Sequence, residues 1–107
     1  MNKDKILKKS EDFTEIINKG KKIKNQFFSI FYLRNEKTLY GITVPKKYGK
    51  AHLRNKIKRQ IKNIIITNEK YIQTNLKYVI IIKECSKKIE YQELEKELIE
   101  LLKKVRI

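Results

Sequence analysis

The chemistry written most densely into this chain lies between Lys46 and Lys62. Lys46, Lys47 and Lys50 precede a run in which Arg54, Asn55, Lys56, Lys58, Arg59 and Lys62 are interleaved with Leu53, Ile57 and Ile61. A lysine ammonium acts as a point charge, and the planar arginine fork can clamp a phosphate through two parallel hydrogen bonds. On a helical wheel Leu53, Ile57, Ile61, Ile64 and Ile65 share one arc, which is the periodicity of an amphipathic helix. Arg54, Asn55, Lys58, Arg59 and Lys62 take the opposite arc, and Lys46, Lys47 and Lys50 fall in the loop leading in. A charged helix face is ordinarily just solvated. Here no acidic residue stands between Glu36 and Glu69, and Asn55 adds a hydrogen-bonding amide amid the cations. The pattern predicts a phosphate-binding surface on a rigid support.

Residue types for catalysis are sparse. His52 is the only histidine and Cys85 the only cysteine, so a His/Cys metal cluster is excluded by count and an internal disulfide cannot form. Cys85 reads as an inert strand-end residue, and His52 as a surface group beside the basic helix. Of twelve carboxylates, six lie from Glu84 onward, where they suit helix solvation. No catalytic set emerges, which points to a protein that assists chemistry done elsewhere.

Charge supports the same reading. The net charge is +15 over 107 residues, and such self-repulsion weakens a compact state unless a polyanion neutralises it. With 23 lysines and 18 isoleucines against 4 arginines, codon bias explains much of the lysine total. It does not explain the segregation: residues 1–36 carry 9 basic and 5 acidic side chains, residues 69–107 carry 9 and 7, and residues 37–68 carry 9 and none. The longest apolar run, Val79 to Ile82, is far too short to span a bilayer. Met-Asn-Lys-Asp-Lys followed by no apolar stretch does not read as a secretion signal. A cytoplasmic location is expected, with no membrane association and no obligate protein partner.

The elements that must position this surface are readable in outline. Ser10, Glu11 and Asp12 suit a helix start and Gly20 a stop, with Phe13, Ile16 and Ile17 on one face. Gln26 to Leu33 is aromatic and β-branched, predicting a strand with Phe28, Ile30 and Tyr32 on one face and Phe27, Phe31 and Leu33 on the other. Arg34 to Lys37 has hairpin length, Thr38 to Val44 reads as the returning strand, and Pro45 ends it. The basic helix follows Gly49. Leu76 to Lys83 predicts a buried central strand. A last helix carries Tyr91, Leu94, Leu98, Leu101, Leu102 and Val105 on one face, its glutamates early and Lys103, Lys104 and Arg106 late. The fold class is α+β: one domain over residues 1–107, a sandwich of about four strands packed with three helices in the order α-β-β-α-β-α.

At the basic helix the chain resembles the bacterial ribonuclease P protein family. That family's signature is an Arg-Asn-Arg helix preceded by Ser-Lys-Lys and Gly-Asn-Ala-Val. Here it reads Pro45-Lys46-Lys47-Tyr48-Gly49-Lys50-Ala51-His52, then Leu53-Arg54-Asn55-Lys56-Ile57-Lys58-Arg59. Lys9-Ser10-Glu11-Asp12-Phe13 and Lys19-Gly20 fall where the family has an Asp-Phe helix start and a glycine stop, and Tyr91 and Leu94 match its last helix. The chain departs from the pattern at Lys56, the third signature position, and at Pro45, His52 and Ile17, where the family commonly has serine, valine and an aromatic.

The resemblance implies an RNA-catalysed endonuclease that removes the 5′ leader of precursor tRNA. Its RNA subunit supplies the active site and requires Mg2+; the protein binds that RNA and the leader. By resemblance, Lys46, Lys47, Lys50, Arg54, Asn55, Lys56, Lys58, Arg59 and Lys62 face RNA. Phe13, Ile17 and Phe31 line a leader-binding cleft between the first helix and the sheet. Read from the residues alone, Phe13 and Phe31 are core, as an aromatic between helix and sheet usually is. A left-handed strand-helix-strand crossover is also implied, against the usual handedness. Two rival readings are a ribosomal or other structural RNA-binding protein and a DNA-binding module. The latter needs a second helix before the basic one, whereas Gly41 to Gly49 reads as strand and loop.

Overall fold

The computed structural model describes Leu7 and residues 10–105. Lys9 and Arg106, used in the sequence reading, and the side chain of Ser10 lie outside that description. Helix α1 runs Ser10–Lys19, strand β1 Lys21–Lys24, β2 Phe28–Arg34 and β3 Leu39–Thr43. Helix α2 spans Ala51–Thr67, β4 Leu76–Ile82 and α3 Tyr91–Leu102, with short 3-10 turns at Lys46–Tyr48, Glu69–Tyr71 and Glu84–Lys88. The four strands form one mixed sheet in the order β1-β2-β4-β3.

The fourth strand is β1, a lysine-rich edge that the hydrophobic pattern did not reveal. It forms the true hairpin with β2, pairing Lys22 with Phe31 and Lys24 with Ser29. Asn25 builds the turn: its side-chain oxygen accepts from the N–H of Phe27 at 2.9 Å and of Phe28 at 2.8 Å. Because Phe27 stands in that turn and not in the strand, the alternation expected for it fails. Phe27 is buried with Phe28, Ile30 and Tyr32, not with Phe31 and Leu33.

The hairpin expected between β2 and β3 is also corrected. Strand β4 lies between them, antiparallel to β2 and parallel to β3, with Phe31 opposite Val79 and Gly41 opposite Val79 on the other side. Helix α2 carries the crossover from β3 to β4. Being central and covered on both faces, β4 is apolar nearly throughout, as parallel-paired strands tend to be.

The two faces of the sheet bury different partners. Phe28, Ile30, Tyr32, Tyr40, Tyr78, Ile80 and Ile82 pack with Ile57, Ile61, Ile64 and Ile65 of α2 and Leu94, Leu98, Leu101 and Leu102 of α3. Each such side chain contributes roughly 1.5–3 kcal/mol by leaving water. Leu7, Ile16 and Val79 form the smaller core on the α1 face, with Phe13, Phe31, Leu33, Leu39 and Ile81 partly buried against it. Gly20 ends α1 for reasons of space: a Cβ there would stand 2.5 Å from the Ile16 carbonyl oxygen and 2.6 Å from that of Tyr32.

Candidate nucleic-acid interface

The basic surface starts where β3 ends. Pro45 leads into the turn Lys46–Tyr48, whose Tyr48 is buried while Lys46, Lys47 and Lys50 are exposed. Tyr48 anchors the turn, and burial raises its phenol pKa, with the neighbouring Ser86 side chain acting the other way. Helix α2 then begins with no side-chain cap and no carboxylate in its first turn. Its positive dipole end therefore adds to the lysines around it, and such an end favours anions.

Inward-facing Ile57, Ile61, Ile64 and Ile65 fix the roll of α2. Arg54, Lys58 and Lys62 follow at four-residue intervals as a half-buried row on one flank, and Asn55 and Arg59 are exposed along the crest. Arg54 packs its stem closely enough that Nε is out of solvent with no hydrogen-bond partner among the described residues. Lys56 is not with the others: it sits on the opposite flank, lining a groove toward α3. Leu53, expected in the apolar stripe, and Tyr91, expected on the buried face of α3, are 40% and 37% exposed beside that same groove.

The aromatic set lies on the other face of the sheet. Phe13 is half-buried against Gly41, Ile17 is 42% exposed, and Phe31 is half-buried. Lys22 of β1 holds its ammonium 5.3 Å from the Phe31 ring centroid, a cation–π placement. Lys77 of β4 ties α1 to the sheet through Glu15 at 3.5 Å and Asp12 at 3.9 Å. The predicted residues therefore form two surfaces, a cationic one built on α2 and an aromatic one beneath α1. Lys22 was missed by sequence reasoning; the Lys-Lys-Ile-Lys run at β1 was its only signal.

Cys85 lies in the 3-10 turn after β4, and its thiol meets the Gln26 carbonyl oxygen at 3.0 Å. Among the described residues no three His, Cys, Asp or Glu side chains converge in a way that could hold a metal. None of the described helices is long and apolar enough to cross a membrane.

An α+β sandwich that carries one cationic helix and an aromatic-lined sheet face has the make-up of an RNA-binding protein: phosphates meet the cations and bases the rings. The ribonuclease P family profile matches residues 1–106. The chain is 43% identical to the ribonuclease P protein component of Mycoplasma mycoides over 109 aligned positions, covering 99% of this chain and 100% of that one. It is 37% identical to the Streptococcus agalactiae protein, covering 96% and 95%. Among solved structures, the Thermotoga maritima RNase P protein superposes with a TM-score of 0.87 at 29% identity, over 94% of this chain and 97% of that one. The Staphylococcus aureus RNase P protein gives 0.86 at 30%, over 92% and 93%. The chain belongs to the bacterial ribonuclease P protein family. It is the protein subunit of a ribonucleoprotein endoribonuclease that acts in tRNA 5′ maturation, and its partner is the ribonuclease P RNA.

Proposed function

We propose that the two surfaces divide the work of the subunit. Lys46, Lys47, Lys50, Arg54, Asn55, Lys58, Arg59 and Lys62, with Lys56 on the far flank, bind the catalytic RNA. Phe13, Ile17 and Phe31 receive leader nucleotides of precursor tRNA. The observation that carries this reading is the separation itself: the cations of α2 and the half-buried aromatics occupy opposite faces of one sheet. One chain can thus hold two RNAs at once. The partial exposure of Phe13 and Phe31 supports stacking, since a plain core aromatic leaves no ring face for a base.

Catalysis belongs to the RNA subunit, and Mg2+ serves that RNA; the chain's own carboxylates near the cleft, Asp12 and Glu15, are engaged by Lys77. The protein assists by neutralising phosphates and holding the substrate. Action in the cytoplasm, with the whole chain as one RNA-binding domain, completes the reading. Reconstitution with a bacterial ribonuclease P RNA tests it. The protein alone should cleave no precursor tRNA, and its addition should lower the Mg2+ concentration at which the RNA cleaves. Cleavage by rigorously RNA-free protein would overturn the assignment.

A further inference from the structure

On the flank of α2 turned away from Arg54, Lys58 and Lys62 lies a groove of about 350 Å3, bordered by Tyr48, Leu53, Lys56, Gln60, Lys87 and Tyr91. Leu53 and Tyr91 stand at positions where helix periodicity calls for core, yet both are more than a third exposed along its rim. No carboxylate lines it, and its charged residues are Lys56 and Lys87. The Lys87 ammonium lies 5.2 Å from the Tyr48 ring centroid. The groove is continuous with the cationic turn: a Cβ on Gly49 would stand 3.0 Å from Leu53 Cδ1 and 3.6 Å from Lys87 Nζ. Gly49 itself has φ 150, so a larger residue there would be strained as well as crowded.

We propose that this groove holds one unpaired nucleotide of RNA, its base against Tyr91 and Leu53 and its flanking phosphates at Lys56 and Lys87. The inference rests on the reading that the Lys46–Lys62 surface meets the RNA subunit, and it extends that contact around the helix to α3. Size favours it, because small-ligand sites begin at roughly 300 Å3 while a partner helix is about 10–12 Å across. Charge favours it too. A second copy of this chain brings another +15, whereas a phosphodiester is attracted. The Gln60 amide offers both a donor and an acceptor to a base edge; Ser86 already donates to the Lys83 carbonyl at 2.8 Å.

The test uses the complete chain and a bacterial ribonuclease P RNA, with affinity measured at one salt concentration and ultraviolet crosslinks mapped on the protein. Tyr91→Leu keeps an apolar side chain but removes the ring; Tyr91→Phe restores the ring; Lys87→Gln removes a charge; Arg59→Ala reports on the basic crest. Tyr91→Leu should weaken binding about fivefold or more, and Tyr91→Phe should bind like wild type. Lys87→Gln should weaken binding and lower the salt slope by about one, and Tyr91 should crosslink. Wild-type affinity in Tyr91→Leu and Lys87→Gln, with Arg59→Ala weakened, would overturn the groove and leave the basic helix standing. Wild-type affinity in all three would overturn both. If Tyr91→Leu does not fold, the exposed Lys87→Gln decides by the same criterion. Capture of a polyglutamate peptide that Lys87→Gln abolishes, with RNA affinity unchanged, would overturn the proposal by assigning the groove to an acidic protein segment.

Discussion

The Phe13 ring rests on the bare Cα of Gly41: a Cβ at position 41 would stand 2.5 Å from Cε1 and Cζ of Phe13 and 3.1 Å from Leu7 Cδ1. Gly41 is not among the residues with positive φ, so the glycine is there for space. It makes room for the Phe13 ring to reach from α1, which packs over β2 and β4, onto β3. Gly41→Ala should push Phe13 aside and cost about 1–3 kcal/mol of stability, as small-to-large changes in packed sites do. If Phe13 also receives the leader, holoenzyme affinity should fall for tRNA carrying a leader and stay unchanged for mature tRNA. Thermal unfolding and the two affinities check both halves.

Phe31 is expected to behave differently from a core aromatic. It is half-buried, with Lys22 over its ring. Phe31→Ala should therefore cost less stability than the roughly 3–5 kcal/mol of a fully buried ring. It should remove about 1–3 kcal/mol of affinity for leader-bearing tRNA. Lys22→Ala, on the exposed edge strand, should produce a smaller leader-dependent loss with little change in stability. A Phe31→Ala protein that unfolds easily and treats both RNAs alike would show that the ring is structural.

These residues also mark where sequence reasoning stops. The amphipathic period of α2 and the apolar run of β4 were legible because each reflects burial along a single element. Strand β1 was not, since Lys21, Lys22 and Lys24 surround one isoleucine and the strand forms because β2 offers it an edge to pair with. The parallel pairing of β3 with β4 was equally hidden. The break at Arg34–Lys37 has hairpin length, and only the placement of β4 between the strands excludes that pairing. At the site, a helical wheel gives the angle of each cation but not what covers each flank. Lys56 falls off the arc of Arg54 and Lys58 and was grouped with them only by the resemblance; the approach of α3 and the Glu84–Lys88 turn gives it a groove of its own.

Alkali should unfold the protein through its buried phenols. Tyr40 and Tyr78, neighbours on β3 and β4, stack with ring centroids 5.4 Å apart and planes 10° from parallel. Burial, with Glu69 adding to it, pushes the Tyr40 phenol up to about 12. Burial and the neighbouring Tyr40 and Tyr32 raise that of Tyr78 as well. A phenol in the unfolded chain titrates near 10. Below about pH 10 both states keep their protons and this contribution is fully present. As pH rises from about 10 through 12, the unfolded chain releases protons that the folded state still holds, so stability falls. Denaturant midpoints measured across that range should drop for wild type, and Tyr40→Phe should flatten the fall.

Arg54 and Arg59 should separate packing from phosphate binding. Arg59 is exposed on the crest of α2, while Arg54 is half-buried with Nε out of solvent. Arg59→Ala should change stability by no more than about 0.5 kcal/mol, the usual range for exposed substitutions. Arg54→Ala should cost more, because its stem covers apolar surface. Both should weaken binding to the RNA subunit, each lowering the dependence of log affinity on log salt by about one. For wild type, if about six cations between Lys46 and Lys62 meet phosphates, affinity should fall roughly 10³-fold between about 50 and 200 mM monovalent salt. Salt titrations of all three proteins against the same RNA provide the measurement. A nearly flat wild-type curve would mean that the cations of α2 are solvated and that the RNA contact lies elsewhere on the chain.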